Sequence, residues 1–267
     1  MRSLLHITLA MLLAGCGDAA QHAAEKALHQ GAAPYHDQRY TEAAAIYASA
    51  TYDPRVAYNL GNALYRMNLP DSATKTFGMV PPSDADTALL VATRYNMANA
   101  WTTIALEADS AIAKCQEQLE HSLIEGEDIA RKVRMAVTRD SLIHARQRLD
   151  HLVDSALIQG ANAYKGSLRM APADEDARYN LAFVQRWIAQ RRKEAEQRRQ
   201  DQEKNEEKTL TEKALLLMKK ADELVDLYKF TEALQLLQEG LKAEPSLQQK
   251  QEYMNKLDVV TKAAKAQ

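Results

Sequence analysis

One short phrase recurs along this chain: Tyr58-Asn59-Leu60-Gly61-Asn62-Ala63, Tyr95-Asn96-Met97-Ala98-Asn99-Ala100 and Tyr179-Asn180-Leu181-Ala182. An apolar residue beside a small one on a helix lets a core form on one side and a second helix approach closely on the other. A unit of this kind cannot bury its own apolar face, so copies must stack on one another. A second phrase accompanies the first. Ala43 with Tyr47 and Ala73 with Phe77 place a small residue and an aromatic four residues apart, on one helix face. Near the C-terminus, Phe230-Thr231-Glu232-Ala233, Leu237, Gly240-Leu241 and Pro245 follow the same pattern, with Ala221 and Leu224 on the helix before it.

Composition agrees with helices throughout. The chain has 9 Gly, 7 Pro and 3 Phe in 267 residues, too few turn formers and aromatics for a sheet protein. Asp53-Pro54, Ser83 with Asp86, and Thr209 with Glu212 carry cap or first-turn chemistry, and Pro172 and Pro245 close the helices before them. The paired phrases resemble the tetratricopeptide repeat (TPR), a helix-turn-helix unit of about 34 residues. The expected fold is therefore all-α: a TPR-like helical-repeat solenoid with an expanded middle unit and a charged linker before a C-terminal TPR. A generic helical bundle is the alternative. Spacing is uneven: Gly31 to Gly61 is 30 residues, and Met97 to Leu181 is 84. Either one unit is expanded or a divergent one lies between residues 104 and 158, where Ile112, Cys115 and Leu119, then Leu149, Leu152, Val153 and Ala156, keep helical spacing.

Apolar periodicity vanishes from Gln190 to Lys208, where seven basic and six acidic residues alternate with Gln. That stretch either extends the preceding helix or frays. Its basic clusters are interrupted by Glu194, Glu196 and Asp201 and lack interleaved aromatics, so no nucleic-acid partner is expected. The net charge of −2 gives no field to gather polyanions. The expected divisions are a leader over residues 1–16, N-terminal TPR units over 17–82, TPR-like units with a long helical insertion over 83–189, the charged linker over 190–208, and a C-terminal TPR with a capping helix over 209–267.

The leader begins Met1-Arg2-Ser3, continues with an apolar run from Leu4 to Leu13, and ends Leu13-Ala14-Gly15-Cys16. The order is that of a signal peptide, and the run is short for a membrane span. The last four residues resemble the lipobox of bacterial lipoproteins, which implies cleavage before Cys16 and acylation of its thiol. Two or three acyl chains anchor a protein durably where one does not. Gly17-Asp18 lacks the acidic cluster that sends some related lipoproteins to the cell surface, so the expected location is the cell envelope, lipid-anchored and facing the periplasm. With Cys16 lipidated, Cys115 has no intrachain partner and reads as a small packed residue.

No phosphate loop, dinucleotide fingerprint or HExxH motif occurs, so no catalytic residue and no cofactor is assigned. His22, His29 and His36 recur every seven residues, as do His144 and His151, but two helical turns hold such residues about 10 Å apart, too far to share a metal. Gly31 and Pro34 are expected to break the first helix. Trp101 and Trp187 read as packing residues. In TPR arrays the first helices line a groove, and the resemblance places Tyr58, Asn59, Asn62, Tyr65 and Arg66 in it, then Tyr95, Asn96 and Asn99, then Tyr179, Asn180, Phe183 and Arg186. Amides there can pair with a peptide backbone while Tyr rings supply area. The competing reading is that the same amides bond between adjacent helices and stabilise the stack.

The lipobox, the repeats, the segment from Tyr164-Lys165-Gly166-Ser167-Leu168-Arg169-Met170 through Ala171-Pro172-Ala173-Asp174-Glu175-Asp176-Ala177-Arg178 to Tyr179-Asn180-Leu181-Ala182, and the charged Gln-rich stretch after it together resemble TPR proteins of Bacteroides aerotolerance (Bat) operons. That resemblance implies a membrane-anchored, non-enzymatic scaffold in a cell-envelope complex linked to aerotolerance or stress. Its implied partners are membrane proteins with von Willebrand A domains and a MoxR-type ATPase. The long insertion and the TPR after the charged stretch depart from that family. A second role keeps the same fold, an outer-membrane assembly lipoprotein docking on a β-barrel insertase; a third, of another class, is an enzyme or transport accessory that binds a small solute.

Overall fold

In the computed structural model the backbone is described for residues 2–83, 85–122 and 129–265, and side chains from residue 19 onward within those ranges except at 129. The Cys16 side chain, on which the lipid-anchor expectation falls, lies outside the described residues. Among the described residues the chain is all helix, with no strand: α1 (Arg2–His36), α2 (Tyr40–Tyr47), α3 (Pro54–Arg66), α4 (Pro70–Phe77), α5 (Thr87–His121), α6 (Ile129–Met170), α7 (Glu175–Asp226), α8 (Phe230–Ala243) and α9 (Gln251–Lys265), with two short 3-10 turns. No described helix is long and apolar enough to cross a membrane. The chain divides into two units, Met1–Ala189 and Gln190–Gln267.

One turn recurs between first and second helices. Gln38, Asn68 and Tyr228 have φ of 62°, 59° and 59°, each seven residues after the small position at Gly31, Gly61 or Ala221. At each turn the two bonds of a Schellman motif close the helix: Arg39 N–H donates to Pro34 O, Leu69 to Leu64 O and Lys229 to Leu224 O, while Gln38, Asn68 and Tyr228 N–H donate to Tyr35, Tyr65 and Val225 O. The same local stop therefore makes the α1/α2, α3/α4 and α7/α8 hairpins.

Once the chain turns back, the second helix drops an aromatic onto the small residue of the first. A Cβ on Gly31 would lie 2.3 Å from the Tyr47 ring, and one on Gly61 would lie 2.5 Å from the Phe77 ring. Tyr47 and Phe77 are fully buried there, with Ala43 and Ala73 one turn before them at 0% exposure. In the C-terminal unit Ala221 and Ala233 are buried with Leu237, and the Tyr253 hydroxyl of α9 donates to Leu237 O at 2.7 Å. Asp53 and Asp86 cap α3 and α5, accepting from Arg55 N–H at 2.8 Å and Leu89 N–H at 2.6 Å.

The middle unit is the expanded one. Gly160 of α6 lies against Ala98 O and Trp101 Cβ of α5, both at 3.5 Å from where its Cβ would be, and Tyr164 four residues later is buried against Ala98 and Tyr95. Gly160 and Tyr164 thus repeat Ala43/Tyr47 and Ala73/Phe77. Ala98 to Gly160 spans 62 residues where Gly31 to Ala43 and Gly61 to Ala73 span 12. The excess is a helical hairpin of outer α5 and outer α6, zipped by Ile104, Ala105, Ala108, Val153, Ala156 and Leu157. At its far end Arg139 donates to Leu119 O and Ser122 O, at 2.7 and 2.9 Å, and so caps the last carbonyls of α5. Cys115 is half-buried on this arm.

Two expected boundaries are absent. Helix α1 runs through Gly31 and Pro34, because the Tyr47 ring fills the space Gly31 leaves and Pro34, in the final turn, deprives the helix of only one bond. No helix begins at Thr209: its hydroxyl bonds back to Asn205 O at 2.9 Å inside α7. The charged stretch from Gln190 is helical, stitched by pairs such as Gln190/Glu194, Arg199/Glu196 and Arg199/Glu203. Asp86, rather than Ser83, caps α5.

Gly61→Ala is expected to destabilise the fold, because about 1–3 kcal/mol of overpacking against Phe77 outweighs the helix propensity alanine adds. Urea unfolding of Gly61→Ala, Phe77→Leu and the double variant should show the double variant losing less than the two losses combined. Gln38→Gly should gain roughly 0.5–1 kcal/mol, by releasing a left-handed side-chain residue, and should raise the urea midpoint.

Candidate functional site

The repeated Tyr-Asn phrase lies where successive first helices touch. Helix α3 presents Tyr58 and Asn62, and α5 presents Asn96, whose Nδ2 donates to Tyr58 Oη at 3.1 Å and to Asn62 Oδ1 at 2.8 Å. The arrangement recurs one unit on: Asn180 Nδ2 of α7 donates to Tyr95 Oη of α5 at 3.1 Å. Between these rungs the 62-residue detour has no effect on how α5 and α7 meet, since the partner atoms and the distance are the same. Tyr164 Oη donates to Asn99 Oδ1, and Tyr65 Oη lies 3.1 Å from Thr103 Oγ1. Burial raises the Tyr164 phenol to about 12, so it remains a donor across the physiological range.

Of the residues expected in the groove, Tyr58, Asn62, Tyr95, Asn96, Asn99 and Asn180 are therefore drawn into inter-helix bonds, and Tyr65 joins them through Thr103. Asn59 is half-buried and among the described residues its amide makes no hydrogen bond to a neighbouring helix, while Arg66 is exposed. On α7, Tyr179 is 70% exposed and Phe183 42% exposed, the latter ring packed on Trp187 with centroids 6.0 Å apart. Arg186 is exposed beside them.

Tyr58, Tyr95 and Asn96 also border an open depression of about 700 Å³, with Val91, Met170 and Asp174 among its other walls. Its floor is the meeting of α3 and α5, and one wall is the α6/α7 turn. The rungs hold the two Tyr rings in place without burying them: both remain half-exposed. Such a surface offers ring faces, methyl groups and a few polar atoms, which suits a polypeptide more than a small polar solute. Among the described residues no three His, Cys, Asp or Glu side chains converge as metal ligands. His22, His29, His36, His144 and His151 are all exposed.

Sequence reasoning missed Tyr164 and Ser167. Ser167 is fully buried and its hydroxyl donates to Val91 O at 3.1 Å, tying α6 to α5 beneath the depression. The signal was present in Gly160 and Tyr164, a small residue and an aromatic four apart, but lay 62 residues from its first helix.

Among solved structures the chain is similar to the crystal structure of the P58(IPK) TPR domain, at 14% identity and a TM-score of 0.26, over 86% of this chain and 75% of that one. No protein-family model matches the chain, and no curated protein does.

Asn96→Ala should cost about 1–2 kcal/mol, since it leaves Tyr58 and Asn62 without their common donor, whereas Asn59→Ala should stay within about 0.5 kcal/mol of the parent. Chemical denaturation of the two variants side by side checks the contrast.

Proposed function

We propose that this chain is a membrane-tethered scaffold that holds a segment of a partner protein against the stacked first helices of its N-terminal unit. The observation that carries the reading is the depression bordered by Tyr58, Tyr95 and Asn96, whose rings are fixed from behind by inter-helix amide bonds and left open in front. Rings held in one orientation lose little freedom when a ligand arrives, so more of the contact energy remains as affinity. By the TPR resemblance, half-buried Asn59 and exposed Arg66 belong to the groove side of α3, where they add a donor-acceptor pair and a charge beside the depression.

The anchor rests on the leader and lipobox ending at Cys16, which support acylation and a periplasm-facing position in the cell envelope. The resemblance to Bat-operon TPR proteins supports a complex with von Willebrand A-domain membrane proteins and a MoxR-type ATPase, in a role connected to aerotolerance or stress. An open depression rather than an enclosed cavity favours this reading over binding of a small solute.

In-cell crosslinking and affinity capture of the intact protein, read by mass spectrometry, tests both parts. Von Willebrand A-domain proteins or the ATPase should be recovered with the parent, and the Cys16→Ser protein should leave the membrane fraction and lose them. Asn59→Ala with Arg66→Ala should lower recovery several-fold while leaving the fold intact. Recovery of barrel-assembly proteins instead, or recovery indifferent to these changes, would overturn the assignment.

A further inference from the structure

The stack of first helices stops at α7 with its receiving face unfilled. Tyr58 of α3 takes the Asn96 amide of α5, and Tyr95 of α5 takes the Asn180 amide of α7, each at 3.1 Å. Tyr179 occupies in α7 the place that Tyr58 and Tyr95 occupy in α3 and α5, as the repeated phrase shows. Yet Tyr179 is 70% exposed, and Phe183 one turn on is 42% exposed. Ala182, the small position, is exposed where Gly61 and Ala98 are buried. The cause is local: α7 has Ala189 where Gln38, Asn68 and Tyr228 turn the other helices, and it runs on as one helix from Glu175 to Asp226.

The interface that this face would continue states what fits it. Helix α7 packs on the core below with a donor stripe of Ala177 and Val184, both fully buried, with Asn180 and Leu181 between them. A helix seated on α7 in the same way needs a carboxamide opposite Tyr179 Oη and small or apolar residues beside it to cover Phe183. An acidic group one to two turns later would meet the exposed Arg186.

We propose that the Tyr179/Phe183 face of α7 docks an α-helix of a partner protein, one carrying a carboxamide between small and apolar residues at helical spacing, as the next rung of the stack. This face is separate from the depression between α3 and α5, so Asn59→Ala and Arg66→Ala leave it unchanged.

The probe is a helix-stapled, fluorescent peptide with the sequence of residues 175–189, which carries that donor stripe, titrated into the full chain by anisotropy. Saturable binding is expected, weakened about three- to tenfold by Tyr179→Phe, which removes only the hydroxyl, and lost with Phe183→Asp. A peptide with Asn180→Leu should bind the parent more weakly but should distinguish little between the parent and Tyr179→Phe, the mark of a direct pair. Both protein substitutions are at exposed positions, and circular dichroism confirms that the variants are folded. Absence of saturable binding, or binding indifferent to Tyr179→Phe and Phe183→Asp, overturns the proposal. So does sedimentation showing that the chain alone dimerises through this face and that Phe183→Asp abolishes the dimer, because the occupant would then be a second copy.

Discussion

Everything in the N-terminal unit depends on a small residue on one helix meeting an aromatic from the helix that returns. At Gly31 and Gly61 the ring occupies the space a Cβ would need, which brings the two helix axes closer than ordinary side chains permit. The returning ring also packs on the Tyr of the first helix, Phe77 on Tyr58 and Tyr164 on Tyr95, and those two Tyr hydroxyls accept the amides of the next first helix. In the second repeat one ring, Phe77, therefore both seats on the glycine and backs the phenol that carries the inter-helix bond.

Whether the chain turns is settled by a few backbone atoms seven residues after the small position. Where a residue accepts positive φ, the Schellman bonds close and a short second helix follows. At the corresponding sites in α5 and α7 stand Ala105 and Ala189, residues of the highest helix propensity, and both helices continue. In α5 the continuation is absorbed by a long arm that returns to the same place. In α7 it is not, and the charged stretch becomes a helix stabilised by its own i,i+4 pairs rather than by burial.

Much of this was legible from residues alone. The recurring Tyr-Asn phrase located three first helices, Ala43/Tyr47 and Ala73/Phe77 located two second helices, and the C-terminal pattern around Ala233 and Leu237 located a third. What could not be read was long-range pairing: nothing in the neighbourhood of Gly160 and Tyr164 says that their partner helix lies beyond an arm of two long helices. The Thr209 cap signal misled because helix continuity there depends on neighbouring charge pairs, and Pro34 misled because a proline near a helix end removes so little. The amides were the most ambiguous. Their sequence marks them equally as ligands for a peptide and as bonds between helices, and only their distances reveal that Asn62, Asn96, Asn99 and Asn180 are engaged within the protein.

The arm formed by outer α5 and α6 leaves and re-enters the stack between Ala98 and Gly160, and the contacts there match those of units that have no arm. Its length is thus decoupled from the architecture around it. Lengthening both helices of such a hairpin in step changes nothing at its root, so evolution can lengthen, shorten or recode the outer turns as a free-standing appendage while the units on either side stay aligned. A repeat protein acquires in this way a site of unconstrained growth in its middle, where insertions into a stacked array would ordinarily do the most harm.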